Sequence, residues 1–137
     1  MQQGYRVYEH ARITTADRGR LLLMLYEGGI NFLREGERRM RQGDDVKARY
    51  YQAKAFNIVT ELMNTLDHQV GGEIAANLSR LYAFMLHHLS EGNARQAPQH
   101  LADVAHLLAI LHDAFAQAVA MVARPTATAH RAIAGAA

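Results

Sequence analysis

The chain has no cysteine, no tryptophan, only two prolines and no strong excess of either charge. Without cysteine there is no disulfide framework, no thiolate zinc site and no thiol nucleophile. Lys+Arg 15 against Asp+Glu 13 leaves a formal charge of +2, far short of the dense positive field of a dedicated nucleic-acid binder. Uninterrupted apolar runs such as Leu21 to Tyr26 reach six residues at most, and a bilayer span needs about 20. The N-terminal stretch with Tyr5, Arg6, Glu9 and His10 lacks the apolar core and cleavage site of a secretory signal. These absences predict a soluble, cytoplasmic chain with no membrane span and no nucleic-acid partner.

What is present favours helix. The chain has 137 residues, half of them hydrophobic, which suits one domain that buries roughly two-thirds of its unfolded surface. Leu, Ala, Arg, Glu and Gln dominate, and these lose little rotamer freedom in a helix. Gly43, the pair Gly71-Gly72, and Gly92 divide the chain into four segments, each a rod of roughly 30 to 37 Å if helical. Comparable rods with short connections pack as antiparallel neighbours. The predicted fold is all-α, an antiparallel four-helix bundle with an extended N-terminal cap segment. The cap covers residues 1-16, the bundle 17-123, and an Ala-rich C-terminal tail, expected to be flexible, 124-137.

The first helix is expected to start near Asp17 with Leu21, Leu22, Leu25, Gly29, Phe32, Leu33 and Met40 on its apolar face. Gly28-Gly29 would cost about 1 kcal/mol each relative to alanine, which close packing against a neighbour explains. The second helix is expected from Asp44 or Asp45 to about Gln69, the third from Gly72 to Gly92, and the fourth from Pro98 to just before Pro125.

Two of these helices carry more apolar surface than one seam can bury. On the second, Tyr51, Ala55, Ile58, Leu62 and Leu66 lie beside Phe56, Val59, Met63 and Val70. Together they span about 160°, where a surface helix needs little more than 100°. On the fourth, Leu101, Val104, Leu108, Leu111, Phe115 and Val122 are widened by Leu107, Ile110, Ala114 and Met121. Three occupants would cover the surplus: the N-terminal Tyr5, Val7, Tyr8 and Ile13, a second copy of the chain in a homodimer, or an amphipathic partner helix. Irregular packing that buries everything is the plain alternative. Asn57 and Asn77 are poor interior helix residues unless their amides have a task, and Tyr82 offers a ring for the core and a hydroxyl for a polar partner.

Nothing in the spacing supports catalysis, a cofactor or a metal. The eight histidines include the adjacent His87-His88, which point about 100° apart on a helix. His100, His106 and His112 are spaced by six, which scatters them around theirs. Gly71-Gly72-Glu73 lacks the Lys-Ser/Thr of a phosphate loop, and Arg34, Arg38, Arg39 and Arg41 are interleaved with Glu35 and Glu37. The expectation is a non-enzyme with no cofactor and no metal.

Three blocks resemble the flagellar secretion chaperone family FliS. The first is Thr15-Ala16-Asp17-Arg18-Gly19-Arg20-Leu21 leading into Met24-Leu25-Tyr26-Glu27-Gly28, and the second is Ala53-Lys54-Ala55-Phe56-Asn57-Ile58-Val59. The third runs from Gly71-Gly72-Glu73-Ile74 through Asn77-Leu78-Ser79-Arg80-Leu81-Tyr82 to Met85. They fall in the family's order and spacing over roughly residues 5 to 122. The chain departs from the pattern at Arg18, where the family often has proline, at Phe115 for a frequent tryptophan, and at His87-His88 for a frequent Arg pair.

The resemblance implies a bundle that binds the disordered C-terminal segment of flagellin one-to-one in an apolar groove. Binding would prevent premature polymerisation and keep the client export-competent. An export-gate component or an anti-sigma regulator is implied as a further partner. The family's N-terminal tyrosine, matched by Tyr8, lies at the partner site. Together the two lines of reasoning nominate Tyr8, Ile13, Asn57, Leu62, Asn77, Tyr82, Leu107, Ile110 and Ala114 as partner-binding. The alternative from another class is a self-associating structural bundle without a client.

Overall fold

A computed structural model describes the backbone of residues 15–136 and the side chains of residues 17–122. Four helices follow one another: α1 Thr15–Arg41, α2 Asp45–Asn64, α3 His68–Arg95 and α4 Pro98–Ala136. Each of α1 and α3 packs against both α2 and α4, giving the up-down-up-down square predicted from the glycine-divided pattern. Tyr8 and Ile13 lie outside the described residues.

Close approach of α1 to its neighbours follows from its glycines. A Cβ at Gly29 would stand 3.1 Å from Leu108 of α4 and 3.2 Å from Ile58 of α2, and one at Gly36 would stand 3.1 Å from Leu101. The expectation for Gly28-Gly29 holds, and Gly36 extends the same small-residue contact about two turns further. The core holds Tyr26 and Leu33 of α1, Ala55, Val59 and Leu62 of α2, Tyr82, Met85 and Leu89 of α3, and Leu101, Val104 and Leu108 of α4. Most of the second stripe of α2 is absorbed: Val59 is fully buried, and Phe56 and Met63 pack against the core, while Val70 falls in α3 and stays exposed. Gln52 adds a polar tie, donating from Nε2 to the Leu89 carbonyl at 3.3 Å.

Three boundaries differ from the sequence reading. First, α2 stops at Asn64 and α3 begins at His68, because the Asp67 carboxylate accepts from the amides of Gln69 and Val70 at 3.1 Å each. An aspartate N-cap thus outranks the glycine pair as the punctuation mark. Gly72 lies inside α3 with φ 50° and ψ −122°, at a kink. Second, α3 runs past Gly92 to Arg95 and ends on Gln96 in the left-handed region, φ 50°. The Ala97 amide donates there to the Gly92 carbonyl at 2.9 Å, a Schellman closure made without glycine. Gly43 closes α1 in the same way with φ 78°, where the Asp44 amide donates to the Arg39 carbonyl at 2.9 Å. Third, α4 continues through Pro125 to Ala136. In α1, Asp17 lies in the first turn, where its charge complements the helix dipole.

By length and composition the 25-residue stretch Pro98–Val122 would pass as a membrane span, which the search for unbroken apolar runs misses. In the bundle it supplies Leu101, Val104, Ala105 and Leu108 to the core.

Candidate functional site

One end of the bundle is hollow. A cleft of about 480 Å³ opens between Leu21, Leu22 and Leu25 of α1 and Ala118, Val119 and Val122 of α4. At Leu22 and Thr65 it meets a second hollow of about 270 Å³, lined by Leu66, Ile74, Leu78, Tyr82 and Phe115. Arg18 and Asp67 are the charged groups on its walls. The kinked start of α3 forms one side, with Val70 before Gly72 and Ile74 after it.

From that end an apolar seam runs along the flank where α3 meets α4. On α3, Ile74, Asn77, Leu81, Phe84 and His88 recur at alternating spacings of three and four, which places them within an arc of about 80°. On α4, His100, Asp103, Leu107, Ile110, Ala114 and Met121 fall within a similar arc of about 80°. These arcs face each other, since His88 meets Asp103 at 2.9 Å and stacks on His100 with ring centroids 4.1 Å apart. Away from that closed end the seam is open: Ile74 is 70% exposed, Phe84 50%, Ile110 52% and Met121 66%. Leu81 and Leu107 lie deeper, packed against the core.

The nominated residues separate cleanly on this geometry. Ile110 and Ala114 are exposed and Leu107 half-buried on the α4 side of the seam, and Asn77 is exposed on the α3 side, accepting from Arg80 through Oδ1. Asn57 is exposed on α2. Leu62 and Tyr82 are buried in the core, and Tyr82 also lines the second hollow of the end cleft. The Tyr82 hydroxyl does find a polar partner, the hydroxyl of Tyr26, which crosses the diagonal between α3 and α1. Burial first, and then the shared hydrogen bond, pushes the Tyr26 phenol well above its ordinary pKa. Burial raises Tyr82 too, with the hydrogen bond opposing it. Sequence reasoning missed Ile74 and Phe84. Their three-and-four spacing with Asn77 and Leu81, all inside the third helix expected from the sequence, was the available signal.

The histidines are also less scattered than their spacing suggests. His88 and His100 come from different helices, and with Glu91 they offer three ligand atoms all within 4.8 Å of one another. A search confined to single helices cannot find such a group. Asp103, beside His88, is held below the usual carboxylate range by the Gln99 amide and then by His88. Elsewhere, His112 of α4 reaches Glu27 of α1 at 3.0 Å, and this hydrogen bond is the main cause of a raised His112 pKa.

A family model described as flagellar protein FliS matches residues 1–122. The chain is 34% identical over 113 residues to the flagellar secretion chaperone FliS of Salmonella typhimurium, covering 82% of this chain and 84% of that one. It is 30% identical over 117 residues to the Vibrio cholerae protein of the same name, covering 85% and 86%. To that of Bacillus subtilis it is 30% identical over 119 residues, covering 87% and 88%. A match running from the N-terminus through the apolar part of α4, on an all-helical bundle, places this chain in the FliS family of flagellar proteins.

Proposed function

We propose that this protein is a cytoplasmic flagellar secretion chaperone whose open seam and end cleft receive the disordered C-terminal segment of flagellin, one client per chain. The observation that carries the reading is the exposed apolar seam of Ile74, Phe84, Ile110 and Met121, which adjoins a cleft walled by leucines. The names of the relatives supply a flagellar secretion role, flagellin is the client that the resemblance to the family implies, and an apolar trough between helices suits an amphipathic segment. The client becomes helical as it binds, at an ordering cost of about 2–5 kcal/mol, and while held it cannot join a filament. Asn77 offers its amide at the rim. The Tyr5–Ile13 segment, which lies outside the described residues, is the expected competitor of the client for the apolar groove. A self-occupied groove lowers the apparent affinity by the fraction of chains in which it is free.

Calorimetry of the full chain with a peptide from the C-terminal region of flagellin tests this. The expected result is saturable one-to-one binding with a negative heat-capacity change. Ile110→Asp should weaken binding at least tenfold, about 1.4 kcal/mol, with unchanged thermal stability. Leu107→Asp should lower stability as well, because Leu107 packs on the core. Absence of binding, or wild-type affinity in Ile110→Asp, overturns the assignment. A dimer in sedimentation that client peptide does not dissociate would give the seam to a second copy instead.

A further inference from the structure

We propose that His88, Glu91 and His100 form a binding site for a divalent transition metal of the zinc class, clasping α3 to α4 at the closed end of the seam. Their ligand atoms already lie within 4.8 Å of one another. Around a zinc ion with bonds near 2.0–2.1 Å, tetrahedral ligands stand about 3.3 Å apart. Closure therefore asks for shifts of about 1 Å, with the His100 ring turning out of its stack on His88 so that both imidazole edges face the ion. Glu91 is suitably divided. Its Oε1 faces His87 at 3.8 Å and Arg95 at 3.9 Å, while its Oε2 faces His100 at 3.9 Å.

Three features mark the group as built rather than incidental. The imidazoles of His88 and His100 are 18% and 21% exposed, against 75% for the neighbouring His87. Gly92 makes room for the approach, since a Cβ there would lie 2.5 Å from the His100 Cβ. The His88 ring is also held from behind: Nε2 shares a hydrogen bond with Asp103 Oδ2 at 2.9 Å, and Gln99 Nε2 donates to Asp103 Oδ1 at 2.9 Å. A carboxylate that fixes the ring of a ligating histidine is the usual outer support of a metal site. Phe84 stacks on the other side of His88 at 5.2 Å, so this ring is confined from both faces.

The donor set selects the ion. Two neutral imidazoles and one carboxylate favour zinc, nickel, cobalt or copper(II) over magnesium and calcium, which prefer all-oxygen shells. Three protein ligands leave a fourth position for water. The site lies at the α3–α4 turn, where Gln96 closes α3 in a left-handed conformation, so a bound ion would oppose fraying of that turn.

The test uses the full chain prepared without a polyhistidine tag. Zinc chloride titrated in a calorimeter should bind saturably, and cobalt(II) should develop the visible absorption of a tetrahedral site. His88→Gln and His100→Gln should each abolish the cobalt spectrum and weaken zinc by more than tenfold. Asp103→Asn, which touches the ring and not the ion, should cost about 10- to 100-fold, whereas His87→Ala should change nothing. Zinc at 100 times its Kd should raise the folding equilibrium constant about 100-fold, read as an upward shift in Tm that the histidine variants lose. Side-chain NMR of the wild type supplies a readout independent of variant folding, in which the His88 and His100 ring signals shift first. No saturable binding, or zinc that moves other histidines and persists in both glutamine variants, overturns the proposal.

Discussion

The hydroxyls of Tyr26 and Tyr82 meet in the centre of the bundle, and Tyr26 also stacks on Phe115 with ring centroids 5.7 Å apart. Three helices thus share one small polar joint. Removing one hydroxyl leaves the other buried and unpaired, at a cost of about 1–3 kcal/mol, while removing both can be nearly neutral. Tyr26→Phe and Tyr82→Phe should therefore each lower stability in urea unfolding, and the double variant should recover most of the loss. The sequence pointed to Tyr82 as needing a polar partner but not to Tyr26, hidden in the apolar run Leu21–Tyr26. A partner 56 positions away leaves no local trace.

The His112–Glu27 pair links α4 to α1 at the surface, and a folded-state pKa raised above 6.5 fixes its sign. The histidine is charged more readily in the folded chain, so its contribution is complete below about pH 6.5 and is lost as pH rises through the folded value. With Glu27 58% exposed, screening keeps the effect below about 1 kcal/mol. In urea unfolding, His112→Gln should be less stable than wild type at about pH 6 and equal to it at about pH 9.

At the scale of the helix, the glycines act for opposite reasons. Gly29 is needed for space, with Leu108 and Ile58 where a side chain would go. Gly72 has nothing within 4 Å of a built Cβ but holds φ 50°, a conformation that costs other residues about 1–3 kcal/mol. Gly29→Val should destabilise by crowding, about 1–3 kcal/mol, and a companion Leu108→Ala should partly relieve it. Gly72→Ala should destabilise through the backbone alone, with no relief from trimming neighbours. Thermal denaturation of the singles and doubles separates the two. The sequence located four helices because helix-favouring residues fill the segments that its glycines divide. It misplaced the α2–α3 boundary because glycine was weighed above the Asp67 cap, and it missed the end of α3 because Gln96 carries no turn signature.

For the whole molecule, the prediction of surplus apolar surface was right for α4 and wrong for α2. Ile110 and Met121 remain exposed, while Val59 and its neighbours on α2 are taken up by the core. A helical wheel counts apolar residues but not which of them a neighbouring helix covers. The open seam also needed a partner strip on α3, which is evident only once the two flanks are seen to touch at His88 and His100.

The seam is a ruler as well as a receptor. From Ile74 to Phe84, and from Ile110 to Met121, its open walls extend about 15 Å at 1.5 Å per residue, or about three helical turns. The paired histidines stop it at one end, and the end cleft turns away at the other. A helix seated there can be read over about three turns and no further. A longer guest must break its helix and continue around the corner into the cleft, so the shape favours segments that carry a bend after a short amphipathic stretch.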